Sequence, residues 1–172
     1  MRVIVTGGAG FIGSHLVEQL LSLGAGVIVI DIHIDPHSYF IVNKIYRDTK
    51  FDILDICDRQ AVRDFLQKEK PDYIIHLAAQ PGVRTPLGKS YQYIQNNLVA
   101  FANVLQTAIE ESVPEILYAS SSSVYGNSTE TVYKEDDLSI RPISIYGATK
   151  LANEILTPAF IAGSKTRARG MR

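Results

Sequence analysis

The sequence predicts an open α/β fold, a doubly wound parallel sheet of strand order 3-2-1-4-5 with helices on both faces. Three observations carry that prediction. Apolar runs of strand length alternate with segments of helical periodicity through most of the 172 residues. The first run, Val3-Ile4-Val5-Thr6, ends in a glycine-dense turn, Gly7-Gly8-Ala9-Gly10, after which Phe11, Ile12, Leu16, Val17 and Leu20 recur at helical spacing. The second run, Val27-Ile28-Val29-Ile30, ends in the carboxylate of Asp31. Hydrophobic residues make up 46% of the chain, enough for one domain with a substantial core.

The first strand and turn have a specific physical use. A helix N-terminus carries unpaired N–H groups and partial positive charge, and glycines let the backbone approach a dinucleotide's pyrophosphate closely. A glycine triplet alone is weak evidence, so later residues must fall where a dinucleotide needs them. Asp31 does: an acid at about that distance beyond the glycines hydrogen-bonds the adenosine ribose and repels the extra phosphate of NADP, which makes NAD the expected cofactor. The plain alternative for Asp31 is a strand-end turn residue.

The stretch from Ile32 to Lys50 is the least informative, with a turn at Asp35-Pro36 and a short helical piece around Ile41, Ile45 and Tyr46. His33 and His37 have no third ligand at metal spacing and read as solvated loop residues, so no metal is expected. Phe51-Asp52-Ile53-Leu54-Asp55-Ile56 reads as the end of a third strand, followed by a helix over about 58–68. Asp55 and Ile56 suit the adenine, the acid accepting from its exocyclic amine and the aliphatic chain packing on its ring; Asp55 as the cap of the next helix is an equal reading.

Tyr73-Ile74-Ile75-His76-Leu77-Ala78-Ala79 reads as a fourth strand, whose small terminal residues let a nicotinamide ribose lie on the backbone. His76 reads as a hydrogen-bonded core histidine. The loop from Gln80 to Ser90 is no nucleotide-phosphate loop of the P-loop kind, because five residues rather than four separate Gly82 from Gly88-Lys89-Ser90. Arg84 and Lys89 either approach an anionic substrate or are solvated. A long helix is expected over 91–111, with Tyr91, Ile94, Leu98, Phe101, Leu105 and Ala108 on one side and Asn96 and Asn97 interrupting it. An amide on a buried face needs partners, so at least one asparagine either bonds backbone near the cofactor or faces solvent. Ile116-Leu117-Tyr118-Ala119-Ser120 is a fifth strand and runs into four consecutive serines, 120–123.

Tyr146 and Lys150 stand four residues apart and share one face of a helix. An ammonium beside a phenol favours phenolate, moving a pKa of about 10 toward the range of a general base at neutral pH. With the glycine turn, Asp31 and the serine-rich strand end, this spacing is poorly explained by chance. The chain resembles an extended short-chain dehydrogenase/reductase of the NAD-dependent epimerase/dehydratase group, on Thr6-Gly-Gly-Ala-Gly-Phe-Ile-Gly13, Ser122-Ser-Val-Tyr-Gly126 and Tyr146-Gly-Ala-Thr-Lys150. His76-Leu-Ala-Ala-Gln-Pro-Gly-Val-Arg84 is similar to the nucleotide-sugar 4-epimerases, the UDP-glucuronate and UDP-glucose types in particular.

The resemblance implies a Rossmann-type domain in which Gly7, Gly10 and Gly13 approach the pyrophosphate, with Phe11 and Ile12 opening the helix. It implies Asp31 on the ribose, Asp55 and Ile56 at the adenine, and Leu77, Ala78 and Ala79 along the cofactor with Asn97 in support. Ser121, three residues before the valine of Val-Tyr-Gly, becomes the catalytic hydroxyl, with Ser122 and Ser123 as neighbours. Tyr146 becomes the base, and Lys150 bonds the nicotinamide ribose. The implied reaction is transient oxidation of a UDP-sugar at C4 and return of the hydride to the other face; a dehydratase would eliminate water from the same 4-keto sugar. A homodimer through the 91–111 helix and the one starting near Tyr146 is also implied.

Members of the group are about twice as long, so the substrate domain is expected to be missing. The expected division is an NAD-binding domain over 1–156 and a divergent basic tail over 157–172, read as a solvated end prone to disorder or a shifted reading frame. That tail carries Lys165, Arg167, Arg169 and Arg172 and no acid. A net charge of −1 argues against nucleic acid as main partner, and no apolar run approaches bilayer length. Cys57 is the only cysteine and reads as a small buried residue; a cytoplasmic location without membrane association follows. Two functional classes remain: the cofactor half of an epimerase or dehydratase, and an NAD-binding module without turnover.

Overall fold

The computed structural model describes all residues except Thr85, 129–131 and 138–139. In chain order its elements are β1 (Arg2–Thr6), α1 (Phe11–Ser22), β2 (Gly26–Asp31), α2 (Tyr39–Val42), β3 (Lys50–Ile53), α3 (Arg59–Glu69), β4 (Tyr73–His76), α4 (Ser90–Ile94), a π-helical turn (Gln95–Val99), α5 (Ala100–Glu110), β5 (Glu115–Ala119), a 3-10 turn (Ser122–Tyr125), α6 (Ile145–Ile161) and β6 (Arg167–Met171). The strands form one parallel sheet, β3-β2-β1-β4-β5-β6. Among the described residues no helix is long and apolar enough to cross a membrane.

The sheet is buried on both faces, which is why its central strands are continuous apolar runs. Alternation sorts them by residue type. Ile4, Ile28, Ile30, Ile74 and Ile116 face a layer containing Val62, Phe65 and Leu66 of α3 and Phe101, Val104 and Leu105 of α5. Val3, Val5, Val27, Val29 and Ile75 face Val17 of α1 together with Phe40 and Ile45. The Ile32–Lys50 segment, obscure in sequence, is fastened to α1 by side chains: the His15 ring stacks on Tyr39 at 3.9 Å, and the Tyr39 hydroxyl donates to Glu18 at 3.0 Å. His33 and His37 are exposed.

Three local expectations are corrected. The helix after β3 is capped by Asp58, whose carboxylate accepts from Ala61 N–H at 3.0 Å, while Asp55 closes the preceding turn by accepting from Cys57 N–H at 2.8 Å. The 91–111 helix is divided by the π turn, which holds both Asn96 and Asn97. Helix α6 crosses the boundary expected at 156; it runs through Pro158, which removes one backbone donor, to Ile161. There the Thr157 hydroxyl donates to the Asn153 carbonyl at 2.7 Å.

The last residues are not a solvated tail. Arg167–Met171 adds a sixth strand beyond the five expected, parallel to β5. Alternating arginines hide this strand from any search for apolar runs, but both pair with one acid far away in sequence. Glu115, nearly buried, accepts from Arg167 at 2.8 Å and pairs with Arg169 at 3.3 Å. Between them Ala168 packs against the isoleucine-side core.

Candidate active site

All the singled-out chemistry lies toward the carboxyl ends of the strands, where an open parallel sheet binds ligands. The turn after β1 is built by close backbone approach. Gly7 takes a positive φ of 69°, and a Cβ there would stand 2.7 Å from the Ala78 nitrogen; one on Gly13 would stand 2.2 Å from the Gly7 carbonyl oxygen. Gly10 is the N-cap of α1 and among the described residues no side chain caps that helix, so its first N–H groups lack an intrahelical acceptor. Phe11 and Ile12 are 80% and 69% exposed, large apolar groups left open beside the turn.

Asp31 is half-buried and already serves the turn: it accepts from Ala9 N–H at 3.3 Å and from Ile32 N–H at 2.9 Å. Burial raises its pKa above the ordinary carboxylate value, and those backbone donors oppose the rise. Ile56 is buried in the isoleucine-side core, while Asp55 is exposed. Leu77, Ala78 and Ala79 follow β4 directly and are half-buried.

Thr6 and His76 join the turn to the end of β4. The Thr6 hydroxyl oxygen accepts from Ala78 N–H at 3.2 Å and lies 2.9 Å from Nδ1 of His76, a fully buried ring. Burial, helped by the nearby Lys150 charge, holds the His76 pKa down to about 3. His76 is thus the core histidine that its apolar strand suggests.

Asn97 is buried at the π turn and fully employed. Its side-chain oxygen accepts from Gln80 N–H at 2.7 Å, and its amide donates to the Gln80 carbonyl at 3.1 Å and to the Thr149 hydroxyl at 3.3 Å. The extra residue of a π turn aims an amide that a regular helix would direct elsewhere. Asn153 completes the junction by donating to the Asn97 carbonyl at 2.9 Å.

Ser121 begins the 3-10 turn, its hydroxyl oxygen accepting from Ser123 N–H at 3.1 Å. Helix α6 sits directly against that turn, since a Cβ on Gly147 would stand 2.6 Å from the Ser123 carbonyl. Lys150 is buried, donates to the Ala119 carbonyl at 2.9 Å and has its ammonium 5.8 Å from the centre of the Tyr146 ring. Desolvation lowers its pKa to about 8. Arg84 and Lys89 are exposed, and among the described residues no cluster of three or more His, Cys, Asp or Glu is arranged to hold a metal.

The residues thus brought together are those of the glycine turn, Asp31, the end of β4, Asn97, Ser121, Tyr146 and Lys150. The model of the NAD dependent epimerase/dehydratase family matches residues 3–172. The chain belongs to that family. The N-terminus of α1 and the glycine-rich turn beside Asp31 fit the NAD on which this epimerase/dehydratase family depends. Among relatives, a UDP-glucose 4-epimerase of Caenorhabditis elegans is 37% identical over 166 residues, covering 90% of this chain and 48% of its own. A UDP-glucuronate 4-epimerase of Arabidopsis thaliana is also 37% identical, over 162 residues, covering 90% and 37%. The solved structure of a UDP-glucose-4-epimerase from Stenotrophomonas maltophila, with bound NAD and formylated UDP-arabinopyranose, superposes with a TM-score of 0.90 at 31% identity, over all of this chain and 52% of that one. The chain spans about half the length of the first curated relatives it matches.

Gly147, Thr149, Asn153, Glu154 and Arg172 pack against or bond residues of the candidate site or the serine turn beside it, and the sequence did not single them out as site residues. One signal was available: Glu154 continues the four-residue spacing of Tyr146 and Lys150 along the same helical face.

Proposed function

We propose that this chain carries the NAD-binding and proton-transfer parts of a nucleotide-sugar 4-epimerase acting on UDP-glucuronate or a related UDP-sugar. The observation that carries the reading is the buried Lys150 beside Tyr146, the lysine bonded to the strand end that leads into the serine turn and Gly147 of the same helix lying against Ser123. Gly7, Gly10 and Gly13 would hold the pyrophosphate, with Phe11 and Ile12 opening the helix whose N–H groups point at it. Asp31 would take the adenosine ribose, and Asp55 with Ile56 the adenine. Leu77, Ala78 and Ala79 would line the nicotinamide side, with Asn97 fixing their loop through Gln80. When bound, NAD supplies a reversible acceptor for the hydride at C4.

Tyr146 then removes the proton of the C4 hydroxyl as general base, with the Lys150 ammonium 5.8 Å from the centre of its ring. Ser121 donates a hydrogen bond to the same oxygen and orients it. Lys150, whose ammonium has donors beyond the one given to the Ala119 carbonyl, would hold the nicotinamide ribose. The reading extends to a cytoplasmic homodimer, for which exposed Tyr91, Ile94, Val99 and Ile155 supply apolar contact area on the α4–α5 and α6 helices.

Incubation with NAD and UDP-glucuronate tests the reading by chromatographic detection of the 4-epimer. Tyr146→Phe is expected to lower turnover on the order of 10²–10⁴-fold while leaving NAD affinity intact. Undiminished turnover in that variant would sink the mechanism. Saturable NAD binding without any 4-epimer would favour the second reading, an NAD-binding module, which the match to about half the relatives' length keeps in view.

A further inference from the structure

Helix α6 presents Tyr146, Lys150 and Glu154 at successive four-residue steps, and only the first two have a part in the reaction proposed above. The carboxylate of Glu154 is turned inward, with its side chain 16% exposed. It accepts a hydrogen bond from the hydroxyl of Ser120, the buried residue immediately before Ser121. It also receives Arg172 side-on: Nη2 donates to Oε2 at 2.7 Å, and Nε lies 3.1 and 3.2 Å from the two oxygens. The Arg172 side chain is equally enclosed, and its remaining Nη1 donates to the Tyr125 hydroxyl at 3.0 Å. Tyr125 is the last residue of the serine turn.

One carboxylate and one guanidinium therefore grip both ends of the turn, Ser120 before it and Tyr125 at its close, and tie it to the tyrosine-bearing helix. An enclosed ion pair is weak evidence for stability, because desolvation offsets the attraction; its better-attested use is to specify one arrangement. The geometry of the neighbouring lysine says which arrangement. Lys150 and Glu154, one helical turn apart, hold consecutive residues, Ala119 and Ser120. Were Lys150 to turn to a ribose hydroxyl, Glu154 would remain as the α6 side chain holding the strand end, alongside the backbone bond from Ser120 N–H to the Met171 carbonyl at 2.7 Å.

We propose that Glu154 and Arg172 are positioning residues, which fix the Ser121 hydroxyl relative to Tyr146 by clamping the turn over 120–125 onto α6. The catalytic part of this inference rests on the 4-epimerase reading; the clamp itself does not. Glu154→Ala, Arg172→Ala and Ser120→Ala in the full chain test it with two measurements. The first is amide hydrogen exchange, followed by mass spectrometry with NAD present. Exchange over 120–126 is expected to accelerate about ten-fold or more in each variant while residues 2–22 are unchanged. The second is kinetics with UDP-glucuronate at saturating NAD: kcat is expected to fall about ten-fold or more, with KM and NAD affinity held within about two-fold. Glu154→Gln keeps an oxygen for Ser120 and should recover part of kcat.

Unchanged exchange over 120–126, or acceleration spread evenly over the whole chain, overturns the clamp. Local acceleration with undiminished kcat overturns the positioning role. If the unsubstituted chain forms no 4-epimer, it is the function reading that fails, and the exchange measurement still decides the clamp. Should Glu154→Ala not fold, Ser120→Ala keeps the ion pair, removes only the hydroxyl and gives both readouts.

Discussion

The two halves of the site are made by opposite means. From β1 to β4 the candidate cofactor cradle is built by leaving side chains out, at Gly7 and Gly13. From β5 to β6 the candidate proton-transfer site is built by burying side chains that carry charge: Lys150, with Glu154 and Arg172 behind it. The first design is intolerant of added volume and indifferent to pH near neutrality. The second tolerates volume better, but depends on partners distant in sequence and on protonation. A backbone cradle can be ready before ligand arrives, whereas a buried ammonium needs its charge and its acceptors at once.

Substitutions can break this contrast or sharpen it. The largest effect is expected from Gly13→Ala, where a methyl group would meet a backbone carbonyl that cannot turn aside. It should cost about 3 kcal/mol or more and abolish NAD binding, read by urea denaturation and NAD titration. Asn97→Ala should cost about 2 kcal/mol by leaving the half-buried Gln80 N–H and carbonyl without their partner, and should weaken NAD binding less than Gly13→Ala. An equal or larger loss of NAD affinity from Asn97→Ala would erase the distinction between the two regions.

The third effect depends on pH. The folded pKa of Lys150 lies below its unfolded value, so the unfolded chain binds more protons between about 8 and 10.5. The lysine's unfavourable contribution is full below pH 8 and disappears as pH rises toward 10.5. Stability of the unsubstituted chain relative to Lys150→Met should therefore increase across that window, measured by denaturation at fixed ionic strength; a flat difference would refute the burial argument. The smallest effect belongs to Arg167→Ala, expected to cost about 0.5 kcal/mol because that guanidinium is largely solvated.

The contrast also explains what could be read from the residues alone. The cradle was legible because glycines, an apolar run and Asp31 follow one another within 31 residues, and local spacing dictates the geometry. Tyr146 and Lys150 were legible for the same reason, through one helical turn. Strand β6 was not, because Arg167 finds Glu115 52 residues earlier, Arg169 shares that acid, and only the folded sheet brings them together. The Arg172 clamp was hidden likewise, since its acid is 18 residues away and serves Ser120 as well. The continuation of α6 past Leu156 was obscured by Pro158, whose missing donor falls near the helix end.

Arginines at both 167 and 169 leave β6 with a problem of alignment. Sliding the strand by two residues would still bring an arginine to Glu115, so ion pairing alone accepts either pairing. Gly170 does not. It lies opposite Tyr118, and a Cβ at that position would be 2.8 Å from the ring. A slip by two would bring Ala168 or Arg172 against the phenol and exclude the misaligned strand by volume. The charges attract the strand, and the glycine selects where it stops; Gly170→Ala should therefore yield a mixture of pairings even though no charge has been altered.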